Sequence, residues 1–345
     1  MKKISVIIPC YNVAAYIDRC LMSIEAQTMG MEELEIICID DASADSTWVH
    51  LRKWEQMYPE NILLIQQKVN RRLGAARNLG VRYASADWIA FVDADDWLEP
   101  DYFEQLYAPV TQFECDVVSC DWRRDVSSSL IYFDEEQRRG GKGQYIIANT
   151  KEFKKLLLIH NCIEDTVVWG KLIRKSLIME NQLYFPEKLA YEDMYWRPLL
   201  DIYATGIYRT GKKLYHYFLN SQSVSLFINA EHHIDWITIQ IEKWKEYHNR
   251  GIWKEYPDEM EFMFLADAVA FFKMLVLRYE EPSFSLFQLE KNLIRQYVPD
   301  YRNNKYISVI SEIEQQAILL RTLYSNPSKK EFQDIVETVK NIYKS

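Results

Sequence analysis

Three carboxylates in four positions, Asp93-Ala94-Asp95-Asp96, follow the apolar run Trp88 to Val92. Carboxylates packed this tightly repel one another, and a divalent cation with oxygen ligands relieves that repulsion. Alternation along an extended backbone puts Asp93 and Asp95 on the same side. One or two protein carboxylates suit Mg²⁺ or Mn²⁺ when phosphate oxygens complete the set, so the motif points to a metal–diphosphate. The plainer reading is an acidic turn in which Asp96 caps a helix beginning near Trp97, and Asp96 is given that structural role.

A second acidic group, Asp40-Asp41, precedes Ala42-Ser43-Ala44-Asp45-Ser46, a Ser/Asp-rich turn whose residues are good helix caps. A carboxylate at a strand end could instead accept from a base N–H or a ribose hydroxyl. Arg77 in Gly74-Ala75-Ala76-Arg77-Asn78 is a permanently charged fork suited to phosphate or carboxylate; a surface arginine is the commoner case. Two further carboxylate pairs, Glu164-Asp165 and Glu192-Asp193, each read equally as charges stabilised at a helix N-terminus. His216, within Tyr215-His216-Tyr217-Phe218, could assist a diphosphate or a metal, or be a hydrogen-bonded structural residue.

The elements that carry these residues alternate in period. Ile4 to Ile8, Leu34 to Ile39, Ile62 to Ile65 and Trp88 to Val92 are short apolar, largely β-branched runs, as in a parallel sheet covered on both faces. Between them Ala14 to Gln27, Thr47 to Met57 and Gly74 to Ala84 have helical spacing. Strand–helix alternation predicts βαβ units, with ligands bound outside the carboxyl ends of the strands. Pro9-Cys10-Tyr11-Asn12, Asp40-Asp41 and the Asp93 motif all lie at such ends. Asp101 to Phe113 and Lys151 to Ile159 read as helices, Asp116 to Cys120 as a short strand, Trp122 to Asn149 as a hairpin or loop, and Trp169 to Glu180 as a helix. From about Asn229 strand-like runs disappear and helical spacing takes over.

Composition bounds the class. A chain of 345 residues that is 48% hydrophobic, with 48 aromatics and only 10 glycines, can bury a large core and is neither collagen-like nor disordered. The length suggests about two domains. A net charge of −9 gives no broad electrostatic footprint for nucleic acid. The six cysteines form no zinc-like cluster and read as free thiols in a reducing compartment. The apolar run near the N-terminus ends at Pro9, too short for a secretion signal. Phe262 to Leu277 is interrupted by Asp267 and Lys273 and falls short of a membrane-spanning helix, so the chain reads as soluble or peripheral.

Taken together, ISVIIPCYN, IICIDDASADST, GAARNLGVRYASADWIAFVDADDWLEPDY, WGKLIRKSLI and YEDMYW resemble the family 2 glycosyltransferases, over roughly residues 4 to 218. The resemblance implies an α/β GT-A fold, Rossmann-like, with a mostly parallel sheet flanked by helices. It implies a nucleotide-sugar-binding and catalytic domain over 1–218 and a helical C-terminal subdomain over 219–345. It further implies an inverting transfer from a nucleotide-diphosphate donor, a UDP-sugar first of all, to a hydroxyl of a glycan or lipid-linked glycan, with Mn²⁺ or Mg²⁺. Pro9, Tyr11 and Asp41 would line the base, with Asn12 in the same segment. Asp93 would contact ribose or sugar, Arg77 and Asn78 would lie near the donor, and Asp95 would bind the metal, with His216 a second metal candidate. Asp193 of the Glu192-Asp193 pair matches the general base; Glu164-Asp165 precedes WGKL instead of following it and is disfavoured. Lys171 is either a diphosphate contact or a solvated lysine.

Two positions depart from the family pattern: Ala42 where many relatives have Gly, and Ala75-Ala76 where Leu-Ser is common. The activity expected is hexosyl or N-acetylhexosaminyl transfer in surface-polysaccharide assembly, in the cytoplasm or peripherally on the inner face of the membrane. A non-catalytic nucleotide-sugar-binding scaffold and a sugar nucleotidyltransferase are the alternatives. The latter needs a Gly-rich basic loop that Pro9-Cys10-Tyr11-Asn12 does not supply. The aromatic tail reads mainly as ordinary helical core, with docking to a membrane or partner as the other use.

Overall fold

The structure is a computed structural model that describes residues 2–126, 129–138, 140–164, 167–220, 226–311 and 314–343. It divides into two compact units, Met1–Phe153 with Val167–Ser221, and Lys154–Thr166 with Gln222–Ser345. In the first unit, β1 (Ile4–Cys10), β2 (Leu34–Asp40), β3 (Ile62–Gln66) and β4 (Trp88–Phe91) form a parallel block in the order β3-β2-β1-β4. Between them run α1 (Ile17–Glu25), α2 (Thr47–Met57) and α3 (Arg72–Tyr83). All seven β1 residues are buried, as a parallel strand covered on both faces requires. Ile4, Val6 and Ile8 face a core shared with Ile17, Cys20, Leu21 and Ile24 of α1. On the other face α3 comes close enough that a Cβ on Gly80 would lie 2.3 Å from Ile7 Cγ2. Glycine is what allows that approach.

Beyond β4 the sheet becomes mixed. β5 (Trp97–Leu98), β6 (Val117–Asp125), β7 (Gln144–Ile147), β8 (Lys171–Arg174) and β9 (Gly206–Phe218) extend it in the order β4-β8-β6-β9-β5, with β7 also on β9. β8 is antiparallel to both β4 and β6, whereas β6 and β9 pair in parallel. The helices of this region are α4 (Tyr102–Tyr107), α5 (Glu135–Arg138), α6 (Lys151–Glu164, shared between the units), α7 (Lys175–Glu180) and α8 (Glu192–Tyr203).

Several elements differ from the sequence reading. No helix starts at Trp97: Trp97 and Leu98 pair with His216 and Tyr215 of β9. Asp96 is therefore not a helix cap; its carboxylate accepts from Tyr215 Oη at 2.7 Å and Phe218 N at 2.8 Å. The segment Trp169 to Glu180 opens as β8 before turning into α7. Asp116 to Cys120 is the start of a nine-residue strand, and part of the expected Trp122 to Asn149 loop is strand in β6 and β7. These strands carry exposed polar residues, so their periodicity is weak, and pairing with a 13-residue β9 supplies what local sequence does not.

The second unit is helical: α9 (Asp235–Asn249), α10 (Pro257–Arg278), α11 (Phe284–Tyr297), α12 (Ile307–Ser311), α13 (Glu314–Tyr324) and α14 (Lys329–Ile342). α10 is apolar nearly all round, which marks a helix surrounded by others. Phe262, Phe264, Phe271 and Phe272 are buried in a core with Phe287, Leu319 and Phe332. These phenylalanines are thus core residues. Among the described residues no helix is long and apolar enough to cross a membrane.

Candidate active site

The first cluster is built at the carboxyl ends of β1 and β2. Asn12 has a positive φ of 53° and ties the two strand-end loops together: its amide N donates to Ser43 Oγ at 2.9 Å and its Oδ1 accepts from Ala44 N at 2.8 Å. Asp45 accepts from Ala14 N at 3.1 Å and Thr47 N at 2.9 Å, fastening the same loop without filling the N-cap of α2. Ala42, at φ 61°, takes the left-handed conformation that glycine adopts freely. Asp40 is fully buried and accepts from Ser43 N and Gln66 Nε2, so its role is internal. Asp41 Oδ1 accepts from Gln67 Nε2 and Arg71 N, both at 2.8 Å. Burial pushes its carboxyl up from the usual range, against the pull of the amides of Arg71 and Arg72. Pro9 is buried at the end of β1, whereas Tyr11 is exposed.

The second cluster follows β4. Asp93 N is held by Tyr215 Oη at 3.2 Å, and Asp93 Oδ1 pairs with Arg77 Nη2 at 2.9 Å. Asp95 takes a 3.3 Å hydrogen bond from Asn220 Nδ2, while its backbone carbonyl accepts from Arg19. Arg19 comes from α1 and lies over Trp97 at 4.2 Å and Phe218 at 4.4 Å, so it braces the acidic turn from below. Burial, with the neighbouring Asp93 adding to it, pushes the Asp95 carboxyl up to about 6.

The third cluster is at the start of α8. Tyr191, at φ 64°, is a left-handed residue with a side chain, a local strain placed directly before Glu192-Asp193. Glu192 is buried and pairs with Arg77 Nη1, while Asp193 is half-buried and accepts from Met194 N at 2.9 Å. Burial first, then Glu192, push the Asp193 carboxyl up to about 7 against the pull of Arg77. A carboxylate near neutral pH that retains solvent access suits a general base.

Arg77 and Asn78 are both buried. Asn78 makes a double backbone clasp on Phe185, donating to its carbonyl at 2.9 Å and accepting from its N at 2.8 Å. The Asn78 amide and the two terminal nitrogens of Arg77 are thus on protein partners, while Arg77 Nε is buried with no hydrogen-bond partner among the described residues. His216 is enclosed as well. Its Nδ1 meets Asp125 Oδ2 and its Nε2 meets Glu99 Oε1, each at 2.9 Å, and the ring is sandwiched between Trp97 and Phe133. With both nitrogens against carboxylates and 1% exposure, the ring has the partners of the structural reading. Lys171 is not solvated: it is buried, and its ammonium donates to the Val167 and Trp169 carbonyls. Asp165, the Glu164 side chain and Ser221 to Ser225 lie outside the described residues. Arg19, Asn220, Tyr215 and Phe185 are the site residues the sequence reading missed. Of these, Arg19 is a charge buried beside the apolar stripe of α1.

The donor set fits a hard cation completed by other oxygens. Among the described residues no group of three or more His, Cys, Asp or Glu is placed to hold a metal ion by itself. Asp95 nonetheless is a carboxylate whose charged form is disfavoured where it stands, and a cation beside it would reverse that. One such carboxylate plus diphosphate oxygens is the arrangement Mg²⁺ or Mn²⁺ accepts.

The family model described as Glycosyl transferase family 2 matches residues 5–180. Glycosyltransferase GlyA of Streptococcus pneumoniae is 32% identical over 231 residues, which are 65% of this chain and 31% of GlyA. Putative glycosyltransferase EpsH of Bacillus subtilis is 30% identical over 224 residues, 64% of this chain and 62% of EpsH. The chain thus spans less than two thirds of either relative. The crystal structure of Staphylococcus aureus TarS 1–349 in complex with UDP-GlcNAc superposes with a TM-score of 0.57 at 18% identity, over 90% of this chain and 91% of that one. That likeness shows a shared fold, the GT-A fold, and the family match covers the strand ends that carry Asp41, Asp93 and Asp95. The chain belongs to glycosyl transferase family 2.

Proposed function

We propose that this chain is an inverting, divalent-cation-dependent glycosyltransferase that moves a sugar from a UDP-sugar to a hydroxyl of a glycan or lipid-linked glycan. The observation that carries the reading is Asp193. It is half-buried, raised to about 7, and joined through Glu192 and Arg77 to Asp93 at the end of a sheet strand. Asp193 would take the proton from the acceptor hydroxyl as that oxygen attacks the anomeric carbon. General-base assistance contributes typically about 10²–10⁴-fold. A single displacement of this kind inverts the anomeric centre. Asp41, Pro9 and Tyr11 would hold the base, and Asp93 the ribose or sugar. Asp95 would hold Mn²⁺ or Mg²⁺, whose charge offsets what develops on the departing diphosphate.

Relatives named poly(ribitol-phosphate) beta-glucosyltransferase and poly(ribitol-phosphate) beta-N-acetylglucosaminyltransferase support a cell-surface polymer as acceptor and a hexosyl or N-acetylhexosaminyl group as cargo. Such a reaction, drawing on nucleotide sugars, belongs on the cytoplasmic side of the membrane. The test is a panel of UDP- and GDP-sugars with Mn²⁺ and with EDTA, scored for transfer or donor hydrolysis and for the anomeric configuration of the product. Turnover that survives EDTA, or a retained anomer, overturns the mechanism.

A further inference from the structure

α3 acts as a ruler along the segment that leads to the base. Lys188 N donates to Arg71 O at 3.1 Å, and the Arg71 side chain pairs with Glu187. A Cβ on Gly74 would lie 2.2 Å from Pro186 O, so helix and segment touch there. Asn78 clasps Phe185, and Arg77 reaches Glu192. The segment so held contains three non-glycine residues at positive φ, Gln182, Lys188 and Tyr191. Strained conformations of this kind persist only where surrounding contacts over-determine them.

Arg77 is the end of that ruler nearest the chemistry. Arg77 is 3% exposed and splits its two terminal nitrogens between Asp93 Oδ1 and Glu192 Oε1, while its Cζ lies 5.5 Å from the Phe185 ring. Phe185 in turn stacks on Trp196 of α8 at 4.6 Å. A guanidinium that binds a diphosphate keeps its fork open to the ligand. This one is closed over two carboxylates, one following the sheet strand and one opening the base helix.

We propose that Arg77 is a positioning residue that locks the Glu192–Asp193 pair to Asp93 and makes no contact with the nucleotide diphosphate, with Glu192 as its anchor and not a second base. The proposal rests on Asp193 being the base, and it explains why the pair is Glu-Asp: the first carboxylate is consumed by the lock and the second is left to react. Arg77 in this role acts on turnover and leaves nucleotide affinity alone.

The experiment uses the full chain with Mn²⁺ and the variants Arg77→Lys, Glu192→Gln and Asp193→Asn. UDP binding is read by calorimetry, and kcat and KM by hydrolysis of UDP-glucose and UDP-N-acetylglucosamine. Arg77→Lys and Glu192→Gln are each expected to bind UDP within threefold of wild type while kcat falls at least tenfold. A tenfold or greater loss of UDP affinity in either folded variant, or unchanged kcat in both, overturns the lock. Thermal melts identify a variant that fails to fold, in which case the other decides. Full activity in Asp193→Asn, or a wild-type chain that neither binds UDP nor hydrolyses either donor, overturns the reading on which the lock rests.

Discussion

At the residue scale, the acidic positions separate by what their carboxylates already touch. Asp40 and Asp96 are spent on internal hydrogen bonds, Glu192 on Arg77, and Asp193 is left with one backbone amide and a raised proton affinity. Asp193→Asn is expected to cut kcat about 10²–10⁴-fold with UDP affinity retained, measured in the donor-hydrolysis assay. Because Asp193 must be ionised to accept a proton, activity should fall as pH drops through about 7, the value to which burial and Glu192 raise it. A profile flat down to pH 5 would contradict the assignment. His216→Ala should behave as a core lesion, since it leaves Glu99 and Asp125 facing a void between Trp97 and Phe133. A loss of about 3–5 kcal/mol in urea unfolding is expected, with Mn²⁺-dependent UDP binding unchanged in the folded protein.

At the element scale, α3 links all three clusters: its start holds Asp41 through Arg71 N, and its middle holds Asp93 and Glu192 through Arg77. Gly74→Ala tests that role, because the added methyl meets the Pro186 carbonyl. Overpacking of this kind costs about 1–3 kcal/mol, and kcat should fall with stability, read by melting and turnover on the same sample. The loop after β2 offers the opposite sign. Ala42 occupies φ 61°, so Ala42→Gly removes a left-handed strain and should raise stability by up to about 1 kcal/mol after the greater chain entropy of glycine is counted. The parallel block β1 to β4 was legible in the sequence because those strands are short apolar runs, buried in β1, β2 and β4, separated by helical periods. β9 was not, since Arg209, Lys212 and Lys213 interrupt its apolar pattern and only pairing with β6, β5 and β7 specifies it.

At the scale of the whole molecule, the second unit has its own titration. Glu290 is fully buried on α11; burial pushes its carboxyl up to about 8, with Asp267 adding to the shift and Gln240 opposing it. Asp267 is itself paired with Lys243 at 2.5 Å. A carboxyl with a raised folded pKa favours the folded state at low pH, and that contribution is lost as pH climbs from the ordinary glutamate value through about 8. Glu290→Gln should therefore flatten the stability–pH curve across that window and gain most at pH 9, measured by urea unfolding at pH 5, 7 and 9. A variant whose curve parallels wild type would place the titration elsewhere. The sequence by itself determined the βαβ order, the family, and the strand-end positions of Asp41, Asp93 and Asp95, because burial period and local motif need no distant partner. Which carboxylates are consumed and which remain reactive was decided only by tertiary structure. Arg77, Glu192 and Asp93 are 115 and 16 residues apart in the chain, and His216 meets Glu99 across 117. Charges take their partners from whatever the fold brings within about 4 Å, and no local pattern encodes that.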